Sequence, residues 1–141
     1  MMLKKILFVG AMAMATVSVQ ACELNISSGN PEVFQVMKKY GLSPNNYDQV
    51  CIALKNHNAG LEVVADSSKF SNVIVAHATI MIKDMQKPVY TSSYSHTTTR
   101  INRDLEGDPG YLMYQTIIST LEQLNMAKMT QALKEARMQN K

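Results

Sequence analysis

Residues 70–84 read FSNVIVAHATIMIKD, and after MQKP the chain continues at residues 89–100 as VYTSSYSHTTTR. Ile74, Ala76, Ala78, Ile80 and Ile82 recur at every second position. That period puts all five on one face of a strand, the pattern of a half-buried sheet. The second limb is rich in Thr, Ser and Tyr, which suits a pleated surface with at least one side in water. Asp84 favours turns and Pro88 cannot donate to a central ladder, so residues 84–88 are the expected reversal of a hairpin. Residues 91–99 are polar on both faces, which argues for an edge strand with an open backbone side.

Working outward, Asn30 and Pro31 form a helix start, a capping side chain followed by proline at the first helical position. Val33, Val36, Met37 and Tyr40 share one face, Lys38 and Lys39 sit in the last turn, and Gly41 ends the segment. Ser43 and Pro44 repeat the start signal. Tyr47, Val50, Cys51 and Leu54 mark a second apolar stripe with Gly60 as its stop, and the short connection makes an αα-hairpin. Leu61, Val63 and Ala65 alternate as a shorter strand. After the hairpin, Asp108 and Pro109 open a long helix through Tyr114, Ile117, Ile118, Leu121, Leu124, Met129 and Leu133, bent or broken near Asn125. The expected fold is therefore α+β: two N-terminal helices, a three-stranded antiparallel sheet and a long C-terminal helix, in the order α-α-β-β-β-α.

The first residues address compartment. MMLKK is a short basic start, residues 6–19 are uncharged and apolar, and Val19, Gln20 and Ala21 complete the three-part layout of a secretory signal. The apolar run falls short of the ~20 residues that span a bilayer. Residues 1–21 are thus expected to be a signal peptide, leaving residues 22–141 as a single small domain in the periplasm or outside the cell. Removing Lys4 and Lys5 takes Lys plus Arg from 14 to 12 against 11 Asp plus Glu, so the domain carries a charge near +1. The basic residues are scattered, and nucleic acid is not an expected partner.

Two cysteines, Cys22 and Cys51, in a chain bound for an oxidising space are expected to pair. The bond would close a loop of about 30 residues and contribute about 3–4 kcal/mol in the chain-entropy account. The alternative is a lipid anchor at Cys22, because Val-Gln-Ala-Cys resembles a bacterial lipobox, although Gln20 fits that pattern poorly. Asn25, Ile26 and Ser27 match a glycosylation acceptor, a short pattern with little weight.

Catalytic chemistry has no motif to carry it. There is no G-x-S-x-G elbow, H-E-x-x-H pair or Gly-rich phosphate loop. Asp104, Glu106 and Asp108 alternate like the start of a calcium loop. Pro109 replaces the required Gly and Gln115 the closing Glu, so they read as a polar loop with Asp108 as helix cap. No metal and no cofactor are expected, and the methionines of the last helix read as core filler and helix surface.

The hairpin offers the one candidate site. If Ile82 pairs with Val89, paired residue numbers sum to 171, and odd positions of the first limb share a face with even positions of the second. His77 then groups with Tyr90, Tyr94 and His96 on the uncovered face. Tyr and His offer flat apolar area with hydrogen-bonding ends, which suits protein recognition. The functional expectation is a non-catalytic, exported domain that binds another envelope or extracellular protein. A lipid-anchored envelope protein with a structural or assembly role is the alternative, and a small hydrolase comes third.

Overall fold

The computed structural model describes residues 21–87 and 90–141, with only the backbone for residues 90–93. The chain runs β1 (Ile26–Ser27), α1 (Pro31–Tyr40), α2 (Tyr47–Asn56), β2 (Ala59–Lys69), β3 (Ile74–Asp84), β4 (Tyr90–Asn102), α3 (Pro109–Glu122) and α4 (Met126–Gln139). The signal-peptide reading of residues 1–21 falls, apart from Ala21, outside the described residues, as do Pro88 and Val89 of the expected turn.

The sheet has four strands in the order β1-β2-β3-β4. The antiparallel β2-β3-β4 core agrees with the alternation in the sequence. The fourth strand is a correction: β1, in the stretch read as a polar lead-in, pairs parallel with β2 through Ile26↔Leu61 and Ser27↔Glu62. Its two residues carry no periodicity, and pairing with a distant strand defines them.

The helices lie on one side of the sheet. The α3 helix crosses β3 and reaches β2 and β4, α4 rests on β4 and β3, and α1 and α2 complete the layer over β2. Leu61 and Val63 from β2, Ile74, Ile80 and Ile82 from β3, and Ile117, Leu121, Met129 and Leu133 from the helices are completely buried between the layers. Ala76 and Ala78 are buried as well, small residues that let α3 approach the sheet closely. Thr116 and Thr120 are the polar members of that contact. Each hydroxyl donates to the carbonyl one turn back, at 2.7 Å to Leu112 and 2.6 Å to Thr116, so neither is unsatisfied.

Caps delimit α1 and α3 as the sequence implies, and a third cap opens α4 where the sequence suggests only a bend or break. Asn30, Asp108 and Asn125 each accept a backbone N–H of the following helix with the side-chain oxygen. The last of these ends the idea of one long C-terminal helix: Asn125 starts α4 afresh after α3 stops at Glu122. The second helix differs in its bounds. It begins at Tyr47, beyond Pro44, and it stops at Asn56, well before Gly60. Asn58 takes the left-handed conformation, φ 49°, that a glycine was expected to supply. Gly60 lies inside β2 for another reason: a Cβ there would come within 2.8 Å of the Asn25 carbonyl oxygen.

A disulfide joins Cys22 to Cys51, tying the segment ahead of β1 beneath α2. Among the described residues no helix is long and apolar enough to cross a membrane.

Candidate binding surface

The register of the β3–β4 hairpin decides which side chains share a surface. The pairing starts at Lys83↔Tyr90, on the expected parity, since the two numbers sum to an odd value. An irregularity between Met81 and Lys83 then adds residues on the β4 side. From Met81↔Ser95 to Ile74↔Asn102 the paired numbers sum to 176 instead of 171. An odd change of register moves every side chain of one strand to the opposite face. Even-numbered residues of β4 therefore join the helix-covered face of β3, and the grouping of His77 with Tyr94 and His96 does not form.

Tyr94 packs against the core, and its hydroxyl oxygen accepts the Asn125 N–H at 2.8 Å, at the start of α4. His96 stands opposite Ile80, with Nε2 3.1 Å from Oε1 of Gln123 at the end of α3. Both residues therefore serve the junction of sheet and helices. Of the expected quartet, only His77 is placed on the uncovered face; the side chain of Tyr90 lies outside the described residues.

That face has its own composition, laid down in cross-strand rows. Asp66, His77 and Thr99 form one row, and Val64, Thr79 and Thr97 the next. The hydroxyls of Thr79 and Thr97 are 2.8 Å apart. Met81 lies between Glu62 and Ser95, and Val75 between Ser68 and Ile101. Val64 and Ile101 are 46% and 64% exposed, so apolar area reaches solvent on both flanks of His77. Neutral, hydrogen-bonding Thr side chains between small apolar patches can hold a protein surface without a large desolvation cost.

Next to β1 the face deepens into a cavity of about 640 Å³. The turn at Ser28, Gly29 and Asn30 overhangs Glu62, Val64, Asp66 and His77 there. Ser27 donates to Glu62 across the parallel pair, and Lys83 Nζ donates to Ser27 Oγ at 3.2 Å, so Glu62 belongs to a local polar network. Among the described residues, no three His, Cys, Asp or Glu side chains converge to hold a metal ion. Asp108, part of the apparent calcium-loop opening, caps α3 and accepts a hydrogen bond from the Tyr40 hydroxyl at 3.1 Å. Asp104 accepts the Glu106 N–H within the same loop.

Two further features lie outside what the residue patterns revealed. Tyr40, Tyr111 and Tyr114 cluster where α1 meets α3, with ring centroids 5.0–6.1 Å apart. Their helical spacing marked Tyr40 and Tyr114 as face residues, but contact between two distant helices has no local signal. The second is the only strongly perturbed carboxylate among the described residues. Asp84, buried at the end of β3, accepts from Arg137 of α4, and this bond lowers its pKa to about 2 against an opposing desolvation. The pair fastens α4 to the sheet and lies away from the uncovered face.

The fold and surface together define a small α+β domain with a one-sided sheet. No protein-family model matches the chain, and searches of curated proteins and of solved structures likewise return no match.

Proposed function

We propose that this chain is an exported, non-catalytic domain that binds another envelope or extracellular protein through the uncovered face of its sheet. One observation carries the reading: helices cover only one side of β2-β3-β4, leaving Val64 and Ile101 exposed beside the His77 and Thr79–Thr97 rows. Export is supported by the basic-then-apolar start of the sequence and by a disulfide, a bond that persists in oxidising compartments. The disulfide also weighs against the lipid-anchored alternative, because a thioether to lipid needs the same Cys22 sulfur.

Site-directed photocrosslinking in producing cells tests the proposal. A photoreactive residue at Thr97, on the uncovered face, should yield a discrete adduct with a second protein. One at Lys38, exposed on α1, should not. Equal adducts from both positions, or none from Thr97, would refute the assigned surface.

A further inference from the structure

β4 ends the sheet and is 13 residues long. Alternate N–H and C=O groups along such a strand point away from its neighbour. Among the described residues, no backbone–backbone hydrogen bond joins β4 to an element other than β3; the Asn125 and Asp104 N–H groups reach only side chains of β4, those of Tyr94 and Asn102. The opposite edge is closed: β1 covers the start of β2, and the Asn30 side-chain amide donates to the Ala65 carbonyl at 2.9 Å. Edges left free to solvent are ordinarily blunted by short length, proline, charged side chains or bulges. β4 contains neither proline nor lysine, its one charge is Arg100, and its irregularity is confined to the turn end, so Ser95–Asn102 pairs with β3 without interruption.

Beside this edge runs a groove of about 420 Å³ lined by Tyr94 and by Ala127, Lys128, Gln131, Ala132 and Glu135 of α4. Among the described residues Tyr94, on the edge strand, is its only lining residue from the sheet. The other flank of α4 is occupied, since Arg137 reaches back to Asp84 and to the His57 and Asn58 carbonyls. A free strand edge next to a helix-walled apolar groove is the arrangement by which domains take up an added strand. Main-chain bonds supply affinity, and the groove selects a side chain.

Charge narrows the occupant. Residues 85–103 contain Lys87, Arg100 and Arg103 and no Asp or Glu. At the groove itself Lys128 supplies a cation, and the carboxylate that lines it, Glu135, already accepts from Gln131 at 2.8 Å. A second copy of β4 would offer Arg100 no opposite charge, since β4 contains no Asp or Glu. We propose that the β4 edge, with the Tyr94–α4 groove, takes up an acidic extended segment of a partner protein as a fifth antiparallel or parallel strand. This rests on the reading of the chain as a protein-binding domain and assigns that binding a second, separate surface.

The test uses the purified, isotope-labelled protein and a synthetic peptide of about 10 residues, a strand's length. The peptide alternates Val and Thr with Glu at its ends, and a counterpart carries Lys in place of Glu. Backbone amide shifts are followed on titration. The Glu peptide should move residues 94–102 together with Ala127, Lys128 and Gln131, saturably, and bind at least about tenfold more tightly than the Lys peptide. Arg100→Glu should reverse that preference, and Ala127→Trp, at an exposed position, should fill the groove and abolish binding. Equal binding of both peptides, shifts confined to other elements, or no shifts at all would overturn the inference. So would concentration-dependent shifts along β4 without peptide, which would identify a second copy as the occupant. If Arg100→Glu and Ala127→Trp leave the Thr97 photoadduct intact while the Glu peptide does not bind, the edge inference alone falls.

Discussion

Arg137 grips Asp84 with both arms of its guanidinium: Nε lies 3.0 Å from Oδ2 and Nη2 lies 3.0 Å from Oδ1. The same Nη2 donates to the His57 carbonyl at 2.7 Å, where α2 has ended. One side chain from α4 thereby joins the ends of three elements. Arg137→Ala removes all of these bonds and leaves a buried carboxylate without its partner. The expected loss is about 3 kcal/mol, the low end for breaking a buried pair, because the Arg137 side chain is 29% exposed. Urea unfolding measures it, and a loss under about 0.5 kcal/mol, the surface range, would contradict the structural role.

Acid should act through the same pair. The folded-state pKa of Asp84 is lowered from 3.8 to about 2, chiefly by the hydrogen bond from Arg137. A depressed carboxylate contributes stability that is present above its unfolded pKa and is lost as pH falls through the folded one. The wild type should therefore lose about 2 kcal/mol from this group between pH ~4 and pH ~2. Asp84→Asn should be less stable at neutral pH and lack that part of the acid dependence. Parallel pH profiles for the two proteins would count against the assignment.

Tyr94 and His77 should respond oppositely to truncation. Tyr94→Ala removes core packing and the acceptor for the first N–H leading into α4, so a loss of about 2–4 kcal/mol is expected. His77→Ala, on the uncovered face, should stay within about 0.5 kcal/mol of wild type. Thermal unfolding of both variants decides between the observed register and the one expected from an Ile82–Val89 pair.

The apolar pattern made the layer of Ile74, Ile80 and Leu121 legible, and all three are completely buried. Ile118, expected beside them, is only partly buried because it lies on the flank of α3. Helix starts were readable where a capping side chain precedes the helix, since that chemistry is local. Register was not. Three more residues of β4 than of β3 lie between the Lys83↔Tyr90 and Met81↔Ser95 pairs, and nothing in TSSYSHTTT marks where they bulge. A strand polar on both faces has no apolar stripe to oppose a slip. The Asp84–Arg137 pair escaped notice for a related reason: its partners are 53 residues apart.

Ile80 gives the direct test of the core. It is completely buried opposite His96, and Ile80→Ala should cost about 2–5 kcal/mol. A near-neutral result by denaturant titration would mean that the covered and uncovered faces are reversed.

The Cys22–Cys51 bond spans 29 residues, and its reduction should lower stability by about 3 kcal/mol. Cys22→Ala and Cys51→Ala should match each other and the reduced wild type. Quantitative thiol titration of the freshly purified protein should find no free sulfhydryl.

That bond also determines how the domain bears load. Tension entering from the N-terminal side meets Cys22 before it meets β1. The sulfur bridge passes the force sideways into α2, so the two-residue ladder at Ile26↔Leu61 and Ser27↔Glu62 is bypassed instead of being peeled open. In the oxidised protein, pulling from that end should rupture the domain as a whole at one high force. After reduction the first event should be a small, low-force detachment of residues 22–30, separable in a single-molecule stretching trace.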